Sequence, residues 1–235
     1  VLLIHGGGWR TGDRSMNVAM AKQLAAAGYV AVTADYRLST DSLYPAAVHD
    51  LKDAVRWLRA HADTLGIDTN RIAAMGCSAG GQLAALLGTT GDLPLFEGNG
   101  CTARHSSAVQ AIVDIDGLLA FDHPESGEDD DSRSTSAATY WFGGPKSETV
   151  ALWREASALT YANHTDTQPA PILLLNSSVD RMHAGRDDLL ALYKTRGIYT
   201  EVHTFVDAPH TFWLFHPWFE PTMQHTLAFL KRVLR

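Results

Sequence analysis

Short aliphatic runs alternate along this chain with longer stretches in which apolar residues recur every three or four positions. These are the two periods that separate buried strands from one-sided helices. Residues 1–4 are wholly aliphatic, end in a glycine tract and read as a buried strand. Residues 29–36 are β-branched and aromatic enough to predict a central strand. Further strands are predicted over 71–75, 109–115, 172–175 and 201–206. Between them, a helix is expected over 16–27, capped by Ser15 and stopped by Gly28. Pro45 opens another, in which Val48, Leu51, Val55 and Leu58 form an inward stripe with Asp and Arg on the outer face. Leu83, Leu86 and Leu87 continue a helix ended by Gly88, and 187–196 forms one closed by Gly197. Pro221 sits in the first turn of a terminal helix with Met223, Leu227, Leu230 and Leu234 on one face. Crossovers of this length join parallel strands, so the pattern predicts an α/β fold with a doubly wound, mostly parallel sheet and helices on both faces. Ligands of such sheets lie beyond the carboxyl ends of the strands, where the glycine-rich loops of this chain fall.

Composition narrows the class. A chain of 235 residues with 46% hydrophobic and 19% charged residues is globular, and the length suits one unit over 1–235 with a lid or insertion loop at 120–145. A net charge of −7 argues against a nucleic-acid surface. No apolar run reaches the roughly 18–20 residues of a membrane span. Two cysteines make no disulfide framework, and Cys77 in its apolar setting is expected to be a buried free thiol. The first residue falls inside an apolar strand, with neither an initiator Met nor a signal-peptide pattern, so more chain is expected upstream.

The sharpest chemical signal is Gly76-Cys77-Ser78-Ala79-Gly80 between a predicted strand and a predicted helix. Small neighbours permit a sharp turn that exposes the Ser78 hydroxyl beside a helix N-terminus. The second is His5-Gly6-Gly7-Gly8-Trp9, where three glycines let backbone N–H groups face a developing oxyanion, with His5 bracing the loop. A serine hydroxyl needs a base, and the base an orienting carboxylate. Among eleven histidines, His210, in the loop directly after the last predicted strand, is the one placed to act as base; His49, His61 and His225 fall in helices. Asp180 is the first carboxylate after the 172–175 strand and is expected to be the acid, with Asp187, Asp188 and Asp116 as competitors.

Together the HGGGW, GCSAGG, late-Asp and DAPH motifs resemble the α/β-hydrolase superfamily over essentially the whole chain. They are similar to bacterial carboxylesterases, especially carbohydrate esterases of the acetyl-xylan, feruloyl and pectin esterase type. The resemblance implies acylation of Ser78, oxyanion donors at Gly7, Gly8 and Ala79, proton transfer by His210 and no cofactor. The chain departs from that pattern in two places. Arg181 stands where a proline often follows the acid, and the edge strands that precede the glycine-loop strand are missing.

Substrate signals are softer. The aromatic-rich run 211–219, including Trp213, together with Trp9 and Trp141, suits a sugar or an aromatic acyl group, or else a buried connection. Arg181, His183 and Arg186 form a basic knot that could grip a uronate carboxylate or pair with Asp187 and Asp188. Six acidic residues within 122–131 read as a solvated loop; without EF-hand, HExxH or CxxC spacing no metal is expected. The expected partner is therefore a small-molecule or polysaccharide ester, and a polysaccharide would imply a secreted or periplasmic setting. Two rivals share the fold. One is an oligopeptidase-type serine peptidase, for whose propeller 235 residues leave no room; the other is a non-catalytic binding protein, which need not keep nucleophile, glycine loop and base together.

Overall fold

A computed structural model describes residues 1–100, 102 and 104–235; Cys101, the second cysteine, lies outside them. Six strands form one sheet: β1 (Leu2–Ile4), β2 (Val32–Ala34), β3 (Ala73–Cys77), β4 (Ala111–Ile115), β5 (Ile172–Asn176) and β6 (Thr200–Thr204). Their order is β2-β1-β3-β4-β5-β6, every neighbouring pair parallel. The order reverses at β1, which β2 flanks on one side and β3 on the other, so a crevice opens between the loops that leave β1 and β3.

Side-chain alternation along the strands builds two cores. Leu2, Ile4, Ala74, Ile112, Ile172 and Leu174 face one layer; Leu3, Met75, Cys77, Val113, Ile115, Leu173 and Leu175 face the other. The first layer holds α2 (Ala46–Ala60), the short α3 (Ala62–Leu65), α4 (Ala79–Thr90), α5 (Ala137–Phe142), α6 (Lys146–Glu155), α7 (Ala158–Tyr161) and α8 (Arg186–Thr195). The second holds α1 (Val18–Ala26) and α9 (Phe219–Val233). Among the described residues no helix is long and apolar enough to cross a membrane.

Several sequence expectations need correction. Residues 29–36 do not form a central strand: β2 is only Val32–Ala34, half-buried at the margin of the described sheet. Its β-branched content suits any pleated surface and does not report position within the sheet. The first helix is led in by a 3-10 turn over Arg14–Asn17, whose cap is Asp13, accepting from the Ser15 N–H, rather than Ser15 itself. Gly88 does not end α4 but lies inside it, because a β-carbon there would overlap the Ile112 side chain where helix and sheet touch. On α2 the expected apolar stripe is fully buried, yet Arg56 is buried too, beside Lys52. The segment after α4 covers that face of the helix: Glu97 pairs with both cations, and the Gly91 carbonyl accepts from Lys52.

Candidate active site

The elbow after β3 follows from its small residues. Ser78 has φ 56° and ψ −123°, a conformation costly for a side-chain-bearing residue, held by the Ser78 N–H donating to the Ile115 carbonyl (2.8 Å). Any β-carbon at Gly76 would overlap the Gly80 backbone, and one at Gly80 would overlap the Ile4 carbonyl, so the turn closes only with glycine at both positions. Ser78 therefore projects from a tight turn at the N-terminus of α4, a twelve-residue helix whose first N–H groups lack intrahelical partners.

The glycine loop after β1 lies over this elbow. Gly7 and Gly8 have φ of 113° and 59° and fold into a turn in which the Arg10 and Thr11 N–H groups donate to the Gly7 carbonyl (3.1 and 3.0 Å). That leaves the N–H groups of Gly7 and Gly8 outside the described turn hydrogen bonds, as is that of Ala79 at the start of α4. His5 does brace the loop: it is buried, with Nδ1 2.8 Å from the Gly6 carbonyl and its ring stacked 4.3 Å from Tyr36, whose hydroxyl donates to the His5 carbonyl (3.0 Å). Trp9 is fixed from behind by donating to Gln82 Oε1 (2.9 Å), and Gln82 in turn donates to the Ala156 carbonyl (2.8 Å).

His210 reaches the elbow from the loop after β6, with Nε2 2.9 Å from Ser78 Oγ. The carboxylate at its other nitrogen is Asp116, not Asp180: Nδ1–H donates to Asp116 Oδ2 at 2.9 Å. Asp116 has no exposed surface, stands at φ 54° directly after β4, and its Oδ1 accepts from the Ser177 N–H (2.8 Å). Asp180 opens the 3-10 turn after β5 and faces solvent, while Asp187 and Asp188 are exposed on the first turn of α8. The sequence reading favoured Asp180 as the first carboxylate after the 172–175 strand, but Asp116 satisfies the same chain order, and β4, beside β3, places it at the imidazole.

Sequence reasoning missed a second carboxyl group. Asp114, two residues before Asp116 on β4, is buried; its Oδ1 accepts from the Gly117 N–H (2.6 Å) and its Oδ2 has no partner. Burial, reinforced by the neighbouring Asp116 charge and opposed by the Gly117 bond, pushes its pKa well above the usual carboxylate range. Gly81 of α4 and Gly117 both abut Asp114 Oδ1, so this group ties the nucleophile helix to the turn that carries Asp116. The available signal was a pair of aspartates at one strand end, in an otherwise aliphatic run.

Two chambers meet at Ser78. The smaller, about 90 Å³, is walled by Trp9, Leu118, Met182 and Glu128; the larger, about 370 Å³, by Met16, Asn17, Trp213 and Leu214; Arg181 borders both. Of the residues expected to touch substrate, Trp9, Arg181 and Trp213 line these chambers, and Trp213 also sets its ring edge against His210 (5.3 Å). Trp141 does not line them: it is wholly buried, stacked 4.8 Å behind Trp9. Arg186 does not either; it pairs with Asp187 (2.9 Å) and reaches Asn176 Oδ1 (3.4 Å). The acidic stretch 122–131 is braced rather than loose: Asp122 pairs with Arg154, Asp129 with Lys146, and Asp131 accepts from the Ser136 N–H and Thr139 Oγ1. Among the described residues no three His, Cys, Asp or Glu side chains converge as a metal site. Cys77 is buried under the elbow, where desolvation and the Asp114 and Asp116 charges raise its thiol pKa far above the ordinary value.

A parallel sheet with a strained serine after β3, a glycine loop after β1 and a histidine after β6 defines the α/β-hydrolase fold, and solved structures agree. A truncated carbohydrate esterase from gut microbiota has a TM-score of 0.83 at 19% identity, covering 98% of this chain and 84% of that one. Esterase 2 of Thermogutta terrifontis, phosphoramylated by tabun, has a TM-score of 0.78 at 24% identity, covering 99% and 82%. Within that fold the chain belongs to the BD-FAE family, which matches residues 1–185. Esterase LipC of Mycobacterium tuberculosis is 37% identical over 118 residues, 50% of this chain and 29% of LipC. The chain spans less than a third of the length of such curated relatives.

Proposed function

We propose that this chain is a serine carboxylesterase that removes acetyl, feruloyl or methyl ester substituents from plant-type polysaccharides by way of an acyl-enzyme on Ser78. The observation that carries the reading is the unbroken relay from Ser78 Oγ through His210 to Asp116, at 2.9 Å on each side of the imidazole. With Nδ1–H held by Asp116, neutral His210 presents an Nε2 lone pair to the Ser78 hydroxyl. His210 takes that proton as Ser78 Oγ attacks the ester carbonyl, and the N–H groups of Gly7, Gly8 and Ala79 receive the oxyanion. The imidazolium then protonates the departing alcohol. A water molecule, deprotonated by His210, attacks the acyl-enzyme and releases the acid. Residues 1–235 act as one catalytic unit, with 120–145 as the insertion over the smaller chamber. The carbohydrate assignment draws on the larger chamber, whose wall of Trp213 and exposed Leu214 opens to solvent and suits a sugar face. It also draws on the fold shared with a carbohydrate esterase.

The test is hydrolysis of p-nitrophenyl acetate, then of acetyl-xylan, acetylated and methylated pectin, and methyl ferulate, by the wild-type chain and Ser78→Ala. Turnover of at least one polymer-derived ester, lost in Ser78→Ala, is expected. Activity undiminished in Ser78→Ala would sink the mechanism, and turnover of p-nitrophenyl acetate alone would remove the polysaccharide assignment.

A further inference from the structure

An ester divides at its carbonyl into an acyl part and an alcohol part, and the two chambers at Ser78 are unequal. Ala79, the first residue of α4, lines the smaller chamber of about 90 Å³, whereas the larger one of about 370 Å³ runs to the surface beside Leu214 and Met16. By volume the larger chamber suits a sugar-bearing alcohol part and the smaller one the acyl part.

The apolar side chains of Trp9, Ala79, Leu118, Ala137 and Met182 line that smaller chamber. Trp9, Leu118 and Met182 are nearly fully buried, and the Trp9 indole is tied to Gln82. The charged part of the lining is an ion pair, whose Arg181 also borders the larger chamber. Glu128 Oε1 accepts from Arg181 Nη1 at 2.8 Å, with the Glu128 side chain only 12% exposed and that of Arg181 49%. Glu128 comes from the braced acidic stretch, Arg181 from the 3-10 turn after β5, and no covalent or backbone link joins these two segments at the wall. Ser126, two residues before Glu128, anchors that stretch by donating to the Phe121 carbonyl (2.8 Å) from a fully buried position. The Glu128 side is therefore stationary, and the partly exposed Arg181 side is the movable one.

We propose that the Glu128–Arg181 ion pair is the charged wall of the acyl chamber and sets the longest acyl group this chain accepts. The inference rests on the esterase reading and adds to it the residues that decide acyl length. With the pair closed, an acetyl group fits against Trp9 and Leu118, while a butyryl chain runs into the ion pair. The longer chain must displace this pair, in which Glu128 is mostly buried while half of the Arg181 side chain stays in solvent.

The test is the ratio of kcat/KM for p-nitrophenyl butyrate to that for p-nitrophenyl acetate, in the wild-type chain, Glu128→Ala and Arg181→Ala. The wild-type chain is expected to favour acetate, and each variant to raise the ratio about tenfold or more, because either truncation opens the same wall from a different segment. Glu128→Gln keeps the wall's volume and a hydrogen-bonding group, and is expected to raise the ratio less than Glu128→Ala. Thermal unfolding of each variant identifies folded protein, and should Glu128→Ala fail to fold, the half-exposed Arg181→Ala decides alone. A ratio unchanged in the folded variants overturns the role of the charged wall while leaving the esterase reading intact. Absence of turnover of any ester by the wild-type chain overturns both.

Discussion

Replacing Asp116 by Asn separates the two candidate acids cleanly. Asp116 is fully buried, and both oxygens are committed, Oδ2 to His210 Nδ1–H and Oδ1 to the Ser177 N–H. Asparagine keeps the shape but has only one acceptor oxygen. If that oxygen stays on the Ser177 N–H, the amide NH2 faces His210 and forces Nδ1 to accept, so that the imidazole proton moves to Nε2 and points at Ser78. The base then has no lone pair for the hydroxyl. The opposite flip sets the NH2 against the Ser177 N–H, two donors facing each other in a dry site, at a cost of about 1–3 kcal/mol. Only the costly flip keeps the productive tautomer, and it lacks the carboxylate charge that stabilises the imidazolium, so kcat on p-nitrophenyl acetate should fall about 10³–10⁴-fold, equivalent to about 4–5.5 kcal/mol of barrier. Solvent-exposed Asp180, changed to Asn, should stay within about twofold of the wild-type rate. The assay is initial rate at saturating ester on variants whose thermal midpoints confirm folding. A hundredfold loss in Asp180→Asn, with Asp116→Asn within tenfold, would refute the reasoning.

Other outcomes follow from the same geometry. Ser78→Ala should lower turnover by at least about 10³-fold and abolish the mass increase that an organophosphate leaves on the wild-type chain; a retained adduct would place the nucleophile elsewhere. Gly81→Ala would drive a methyl group into Asp114 Oδ1 and the Gly117 backbone, and should cost about 1–3 kcal/mol in urea unfolding while also slowing turnover. For Asp114 the folded-state pKa is raised above the unfolded value, so its contribution to stability is complete below the unfolded pKa and is lost as pH rises toward the folded one. Asp114→Asn should therefore gain on the wild-type chain by up to about 1.4 kcal/mol per pH unit above pH 4, read as diverging thermal midpoints; parallel curves would contradict the assignment. Cys77, buried and with its thiol pKa raised, should resist alkylation in the folded chain and react only after denaturation.

Much of this fold was legible in the sequence, because each buried strand is a short aliphatic run and each long helix has a period of three to four. Ser78, the glycine loop and His210 were legible for a different reason: each depends on local backbone geometry that glycine, serine and proline advertise. The acid was not, since which carboxylate meets an imidazole depends on which strands lie side by side, and local pattern carries no strand order. Arg56 misled for a related reason; its burial comes from a segment about forty residues downstream folding over α2. Trp141 looked like a pocket wall because aromatic content does not distinguish a residue facing a ligand from one stacked behind the residue that does.

In the proposed mechanism Asp116, at the end of β4, serves as the acid, and the loop after β5 supports it through the Ser177 backbone N–H, which any residue at that position except proline provides. Beyond Ser177 the same loop carries Met182 and Arg181 into the smaller chamber. Under the proposed mechanism, the side chains at 181 and 182 can therefore be rewritten for a new ester while Ser177, which holds Asp116, and Ser178, which holds the Ala208 carbonyl two residues before His210, are kept.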